Sequence, residues 1–191
     1  MALWGTTVTA DESKPKWLTA AQKKEAFATD RGWVVLNGKG NEEVLCAIGG
    51  LSGGTSASAG LGAATITSTD FVSTAFDVSA GGNIDVRVIY NEKVTVTGNP
   101  TVAITNDQAG GGSAAALTAA YVSGTGTNRL TFRVTLGAGG TTVVADDVLS
   151  IGAQNVALAG GTLKDTGTTL NSLVAISAAA GAAAGTLTAI A

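Results

Sequence analysis

Two segments of the chain alternate apolar and polar residues with a period of two. In Ile84-Asp85-Val86-Arg87-Val88-Ile89-Tyr90, the residues Ile84, Val86, Val88 and Tyr90 fall on one side of an extended chain, and Asp85 and Arg87 on the other. In Leu130-Thr131-Phe132-Arg133-Val134-Thr135-Leu136 the apolar set again alternates with a polar one. A helix cannot segregate residues at this spacing. One dry face and one wet face is the signature of an antiparallel sheet packed on one side only. Further candidate strands lie at 65–67, 71–78, 101–105, 117–122, 148–151, 156–158 and 172–177. Between strands stand Gly81-Gly82-Asn83, Gly98-Asn99-Pro100, Gly124-Thr125-Gly126 and Gly160-Gly161. Short strands at such spacing predict an all-β sandwich or barrel.

Composition narrows the function classes. Charged residues make up 13% of the chain and Gly accounts for 27 residues, which suits strands joined by tight turns. Aromatic residues are only 5%, so the core must be built from Val, Ile, Leu and Ala. A net charge of −3 argues against broad binding to nucleic acid, which needs clustered Lys and Arg. The absence of His removes the commonest general base and metal ligand, and no set of residues points to an enzyme or a cofactor. Cys46 has no second cysteine to pair with and sits in the apolar run Val44-Leu45-Cys46-Ala47-Ile48, where it reads as a small core residue. No stretch reaches the length of a membrane span, and the first residues do not read as a signal peptide.

The chain changes character near residue 50. Residues 1–50 hold 12 of its 25 charges and all three tryptophans, Trp4, Trp17 and Trp33. Residues 1–18, with Pro15 between two lysines, read as an extended arm. Thr19-Ala20-Ala21-Gln22 is a capping box and predicts a helix of two to three turns, closed by Asp30-Arg31-Gly32. Trp33-Val34-Val35-Leu36 and Glu43 to Ile48, joined through Asn37-Gly38, predict a hairpin. Residues 51–64 are Gly, Ser and Ala-rich and read as a linker. Residues 65–177 form the predicted sandwich, and 178–191 a small-residue tail lying on a surface or unstructured.

At this point the residues resemble a known pattern. Asp77 to Ile84, Val86 to Pro100, Ala120 to Phe132 and Gly160-Gly161-Thr162-Leu163-Lys164-Asp165 are similar, in order and spacing, to the immunoglobulin-like (Ig-like) repeats of large bacterial adhesins and related virion proteins. The resemblance covers a little over half the chain. It implies an Ig-like antiparallel β-sandwich with a structural or adhesive role and no chemistry. Ser13 to Leu18, Gly32-Trp33-Val34 and Glu43 to Ile48 resemble the beginnings of small virion structural proteins of tailed phages of aquatic bacteria. Together the two resemblances imply a virion protein assembled in the host cytoplasm. The leading expectation is a capsid decoration or cement protein, homo-oligomeric or lattice-associated, docking on the major capsid protein through its N-terminal arm. The alternative is a tail or neck protein whose Ig-like module adheres to the host or binds a glycan. That alternative wants aromatic platforms on loops, whereas Phe71, Phe76, Tyr90, Tyr121 and Phe132 fall mostly on strands.

The candidate interface residues are Trp4, Pro15, Trp17, Leu18, Phe27 and Trp33. Large aromatics in a weakly folded arm are costly to leave in water, and Trp is frequent at interface hot spots. Trp33, beside the hairpin, fits packing on the chain's own β-domain better; Trp4 and Trp17 fit an anchor on a neighbour. Two lesser features complete the reading. Asp146-Asp147 with Asp165 offers oxygen ligands to a hard cation such as Ca²⁺, with solvated turns as the default. Gly110-Gly111-Gly112-Ser113 lacks the lysine and βαβ setting of a phosphate loop and reads as a flexible connector.

Overall fold

The computed structural model describes residues 14–54 and 60–191. The chain is all-β, with two short helices. A folded N-terminal unit comprises α1 (Ala20–Glu25), β1 (Phe27–Thr29), β2 (Gly32–Leu36) and β3 (Glu42–Ala47). The β-domain follows with β4 (Ile66–Phe71), β5 (Ala75–Asp77), β6 (Gly82–Thr97), β7 (Thr101–Asn106), β8 (Ala116–Ser123), β9 (Thr127–Leu136) and β10 (Val148–Ser150). It ends with β11 (Gln154–Asn155), β12 (Thr162–Asp165), β13 (Ala175–Ile176), α2 (Ala178–Ala182) and β14 (Thr186–Ile190).

The expected antiparallel sandwich needs correction in its sheet. Twelve strands belong to one curled, mixed sheet, hydrogen-bonded in the order β3-β2-β1-β6-β9-β8-β7-β10-β14-β5, with β4 and β12 also pairing with β6. Two pairings are parallel: β14 with β5, and β1 with β6 at Ala28 and Glu92. The β7–β8 hairpin ties the two halves of the β-domain into one continuous ladder.

The alternation read in the sequence sets the core. Ile84, Val86, Val88 and Tyr90 of β6 pack with Leu130 and Phe132 of β9, Val102 and Ile104 of β7, and Leu149 of β10. Tyr121 meets Phe132 edge-on, with centroids 6.0 Å apart. Asp85, on the wet face, holds Arg133 through two hydrogen bonds of 2.6 Å, from Nε and Nη2. From Ile89 to Glu92 the alternation stops and every residue is buried. Here β1 pairs alongside β6 at Glu92.

Three expectations about the ends and joints change. The capping box forms, but α1 stops after six residues. Ala26 is extended, and Phe27 to Thr29 form a strand against Gly32 to Val34 instead of more helix. Gly32 closes that turn at φ +122, and a Cβ there would lie 2.1 Å from the Cys46 carbonyl oxygen, so only glycine lets β2 and β3 approach. Lys14 to Leu18 is turned, with Lys14, Pro15 and Leu18 buried, instead of an extended arm. The stretch 178–191 is no tail. Its Leu187 and Ala189 are buried, and β14 runs between β10 and β5.

Candidate functional site

The N-terminal unit has its own small core. Leu18, Ala26, Ala28, Trp33 and Leu51 pack together, with Val35, Leu45, Cys46, Ile48 and Leu61 against them. Leu51 and Leu61 come from either end of the glycine-rich stretch read as a linker, and Leu61 N–H donates to the Leu51 carbonyl at 3.1 Å. Trp33 is wholly buried, and the Lys14 ammonium lies 5.9 Å from its ring centroid. That ammonium also donates to the Lys23 carbonyl.

The six candidate interface residues therefore divide. Leu18, Phe27 and Trp33 are buried within this chain, as is Pro15. Trp4 lies outside the described residues. Trp17 is 63% exposed. Sequence reasoning missed two further exposed apolar residues, Leu36 and Val44. Val44 pairs with Val34, two residues before Leu36, so both lie on one face of the β2–β3 hairpin. β3 ends the strand order, and its outer edge has no strand partner among the described residues. The exposed apolar residues of the hairpin thus flank an open sheet edge. No spacing signal marked Leu36 and Val44, because in sequence they look like any other strand valine or leucine.

Three ion pairs link the N-terminal unit to the β-domain. Lys24 pairs with Asp70 of β4, Glu25 with Arg129 of β9, and Glu42 with Lys93 of β6 at 2.6 Å. Glu42 also binds Arg31 at 2.5 Å. The hydrogen bonds from Lys93 and then Arg31 hold the Glu42 carboxyl below the usual range. Lys93 in addition lies 5.8 Å from the Phe27 ring centroid. Lys24, Glu25, Arg31 and Glu42, four of the 12 charges of residues 1–50, are thus paired within the molecule.

Along this joint runs a cleft of about 290 Å³, lined among others by Ala28, Glu42, Glu92, Lys93 and Asp165. Glu92 and Asp165 are each 1% exposed. Neither oxygen of Glu92 has a hydrogen-bond partner, nor does Asp165 Oδ2. Asp165 Oδ1 accepts from the N–H groups of Gly167 at 2.7 Å and Thr168 at 3.4 Å.

The acidic residues considered for a cation do not assemble. Asp147 is buried and wholly engaged. Oδ1 accepts from the N–H of Gly110 at 2.9 Å and of Gly112 at 3.4 Å, and Oδ2 from Asn106 at 2.9 Å and Val144 N–H at 3.1 Å. Burial opposes its charge, but the Asn106 and backbone donors outweigh it and hold the carboxyl below its usual range. Among the described residues no three or more Asp, Glu, Cys or His side chains gather to hold a metal ion. The Gly110–Ser113 stretch, read as a flexible connector, is the cradle of Asp147. A Cβ at Gly112 would lie 2.0 Å from Asp147 Oδ2.

Comparison with family models, with curated proteins and with solved structures finds no match to this chain.

Proposed function

We propose that this chain is a non-catalytic virion structural protein, a capsid decoration protein whose N-terminal unit seats on the shell while an Ig-like domain faces outward. The observation that carries the docking part is the edge of β3, unpaired among the described residues and flanked by Leu36 and Val44, in the same unit as the exposed Trp17. An open edge offers main-chain hydrogen bonds, and flanking apolar side chains add contact area, the ingredients of strand addition by a partner. The virion setting rests on the resemblance of the N-terminal segment to small phage structural proteins. Repetition over a lattice supplies the avidity that one small patch lacks.

The Ig-like assignment is supported by connectivity. β4 pairs antiparallel with β6, and β5, after a short break, pairs parallel with the last strand, β14. β6-β9-β8 continue one side and β7-β10-β14 the other. We read this order as resembling that of an Ig sandwich with its first strand divided between the two sheets. The departures are the β7–β8 ladder and the excursion of residues 151–185 between β10 and β14.

The test places charge on the hairpin face. Val44→Lys with Leu36→Lys leaves the buried residues of the unit untouched. The double variant is expected to fold, by circular dichroism and thermal melting, yet fail to be incorporated into particles. Wild-type incorporation of the folded variant would overturn the docking surface.

A further inference from the structure

Among the described residues, the only strand pairing between the N-terminal unit and the β-domain is Ala28 with Glu92, and the Glu92 side chain is a buried carboxyl that no donor group reaches. On the neighbouring strand β12, where Asp165 pairs with Val94, Asp165 presents an oxygen in the same condition. The other charged groups lining the cleft are Asp30 and Arg31 from the β1–β2 turn, Glu42 from β3 and Lys93 from β6. Both cations, Arg31 and Lys93, bind Glu42, and Arg129 of β9 binds Glu25. Two neighbouring carboxylates, dry and without a cation, cannot both be ionised cheaply. One proton resolves the conflict, because a neutral carboxyl can donate to the remaining carboxylate.

We propose that a proton held between Glu92 and Asp165 keeps the N-terminal unit closed on the β-domain, and that losing this proton releases the unit. Burial, reinforced by the Asp165 charge, pushes the Glu92 carboxyl up to about 9 in the closed form, against 4.5 for the free side chain. With the joint open, water reaches the carboxyl and its ordinary value returns. The closed form therefore holds more protons than the open form between these values. Closure is fully favoured at the acidic end, and the ratio of open to closed rises about tenfold per pH unit until the upper value is passed. The inference does not depend on the virion reading, and its test uses the isolated protein.

The experiment is amide hydrogen exchange across pH, with intrinsic exchange rates divided out. Protection at the β1 amides that face β6, about Ala28, is expected to fall about tenfold per unit from about pH 6 to about pH 9, while β8 and β9 amides hold. Glu92→Gln keeps the shape and cannot ionise, so its protection over the same amides should be flat with pH. Asp165→Asn, which keeps the oxygen facing Gly167 and Thr168, should end the decline at a lower pH than wild type. A wild-type profile that is flat, or that Glu92→Gln or Asp165→Asn reproduces, would overturn the proposal. So would recovery of wild-type protection at pH 9 by millimolar CaCl2, which would assign the pair to a cation.

Discussion

Trp33 shows how a residue can be singled out correctly and still serve a different end. Its indole is wholly buried, and its Nε1–H has no hydrogen-bond partner. Removing the ring leaves a cavity in a core of only a few residues. Trp33→Ala is expected to cost about 3–5 kcal/mol, read by urea denaturation. Trp33→Phe should cost distinctly less, since it keeps most of the apolar volume and no hydrogen bond is lost. Equal losses for the two would show that the indole nitrogen matters after all. Asp147 makes a complementary case. Its carboxyl is depressed by the donors around it, so the stability it contributes is present above the pKa of the unfolded chain and drains away as pH falls through the folded value. Asp147→Ala strands four donors, and at about 1–3 kcal/mol for a buried group left unsatisfied it should destabilise strongly at neutral pH. In acid, where wild type has lost the same term, the difference should shrink. A penalty independent of pH would contradict the assigned role.

At the scale of elements, period-two alternation was readable wherever one face stays wet. β7, β8 and β9 fall within two residues of where alternation and turns placed them, and β6 begins near the expected 84–91 but runs on to Thr97; Asp85, Arg87 and Arg133 mark the wet face of β6 and β9. The same signal is present in Thr186-Leu187-Thr188-Ala189-Ile190, with Leu187 and Ala189 buried, but it is muted when the inward residue is alanine. Flanking Ala and Gly then make a core strand look like a tail. β1 was illegible for another reason. Three residues are too few to show a period, and the preceding helix formers bias the reading toward more helix. Since β14 bridges β10 and β5, deleting residues 178–191 should unfold the β-domain, seen as loss of β-sheet circular dichroism. A folded truncation would mean that β10 and β5 tolerate open edges. The joint carries its own prediction. Three ion pairs, each partly exposed, are worth at most about 1 kcal/mol apiece and are screened by salt. Raising NaCl to about 1 M should speed proteolysis within residues 19–48 while sparing the β-domain. Equal protection at low and high salt would show that apolar contact holds the joint.

At the scale of the whole molecule, the compositional break near residue 50 lies between a folded N-terminal unit, not an extended arm, and the β-domain with which it shares one sheet. That could not be seen from residues alone. The partners of Lys24, Glu25 and Glu42 are Asp70, Arg129 and Lys93, far away in sequence. Glu92 stands in the polar run Asn91-Glu92-Lys93, and nothing in that run signals that β1 pairs beside it. What remains outward on the N-terminal unit is a smaller surface than the three tryptophans suggested, with Trp17, Leu36, Val44 and the edge of β3 as its described parts. The proposed virion role requires that this surface seat the protein on a viral shell. The decisive measurement is a particle reconstruction with matched quantitative mass spectrometry. Expected are a copy number commensurate with the capsid lattice, β3 and Trp17 against the shell and the β-domain outward. Absence of the chain from purified particles, or contact with the shell made through the β-domain instead, would contradict it.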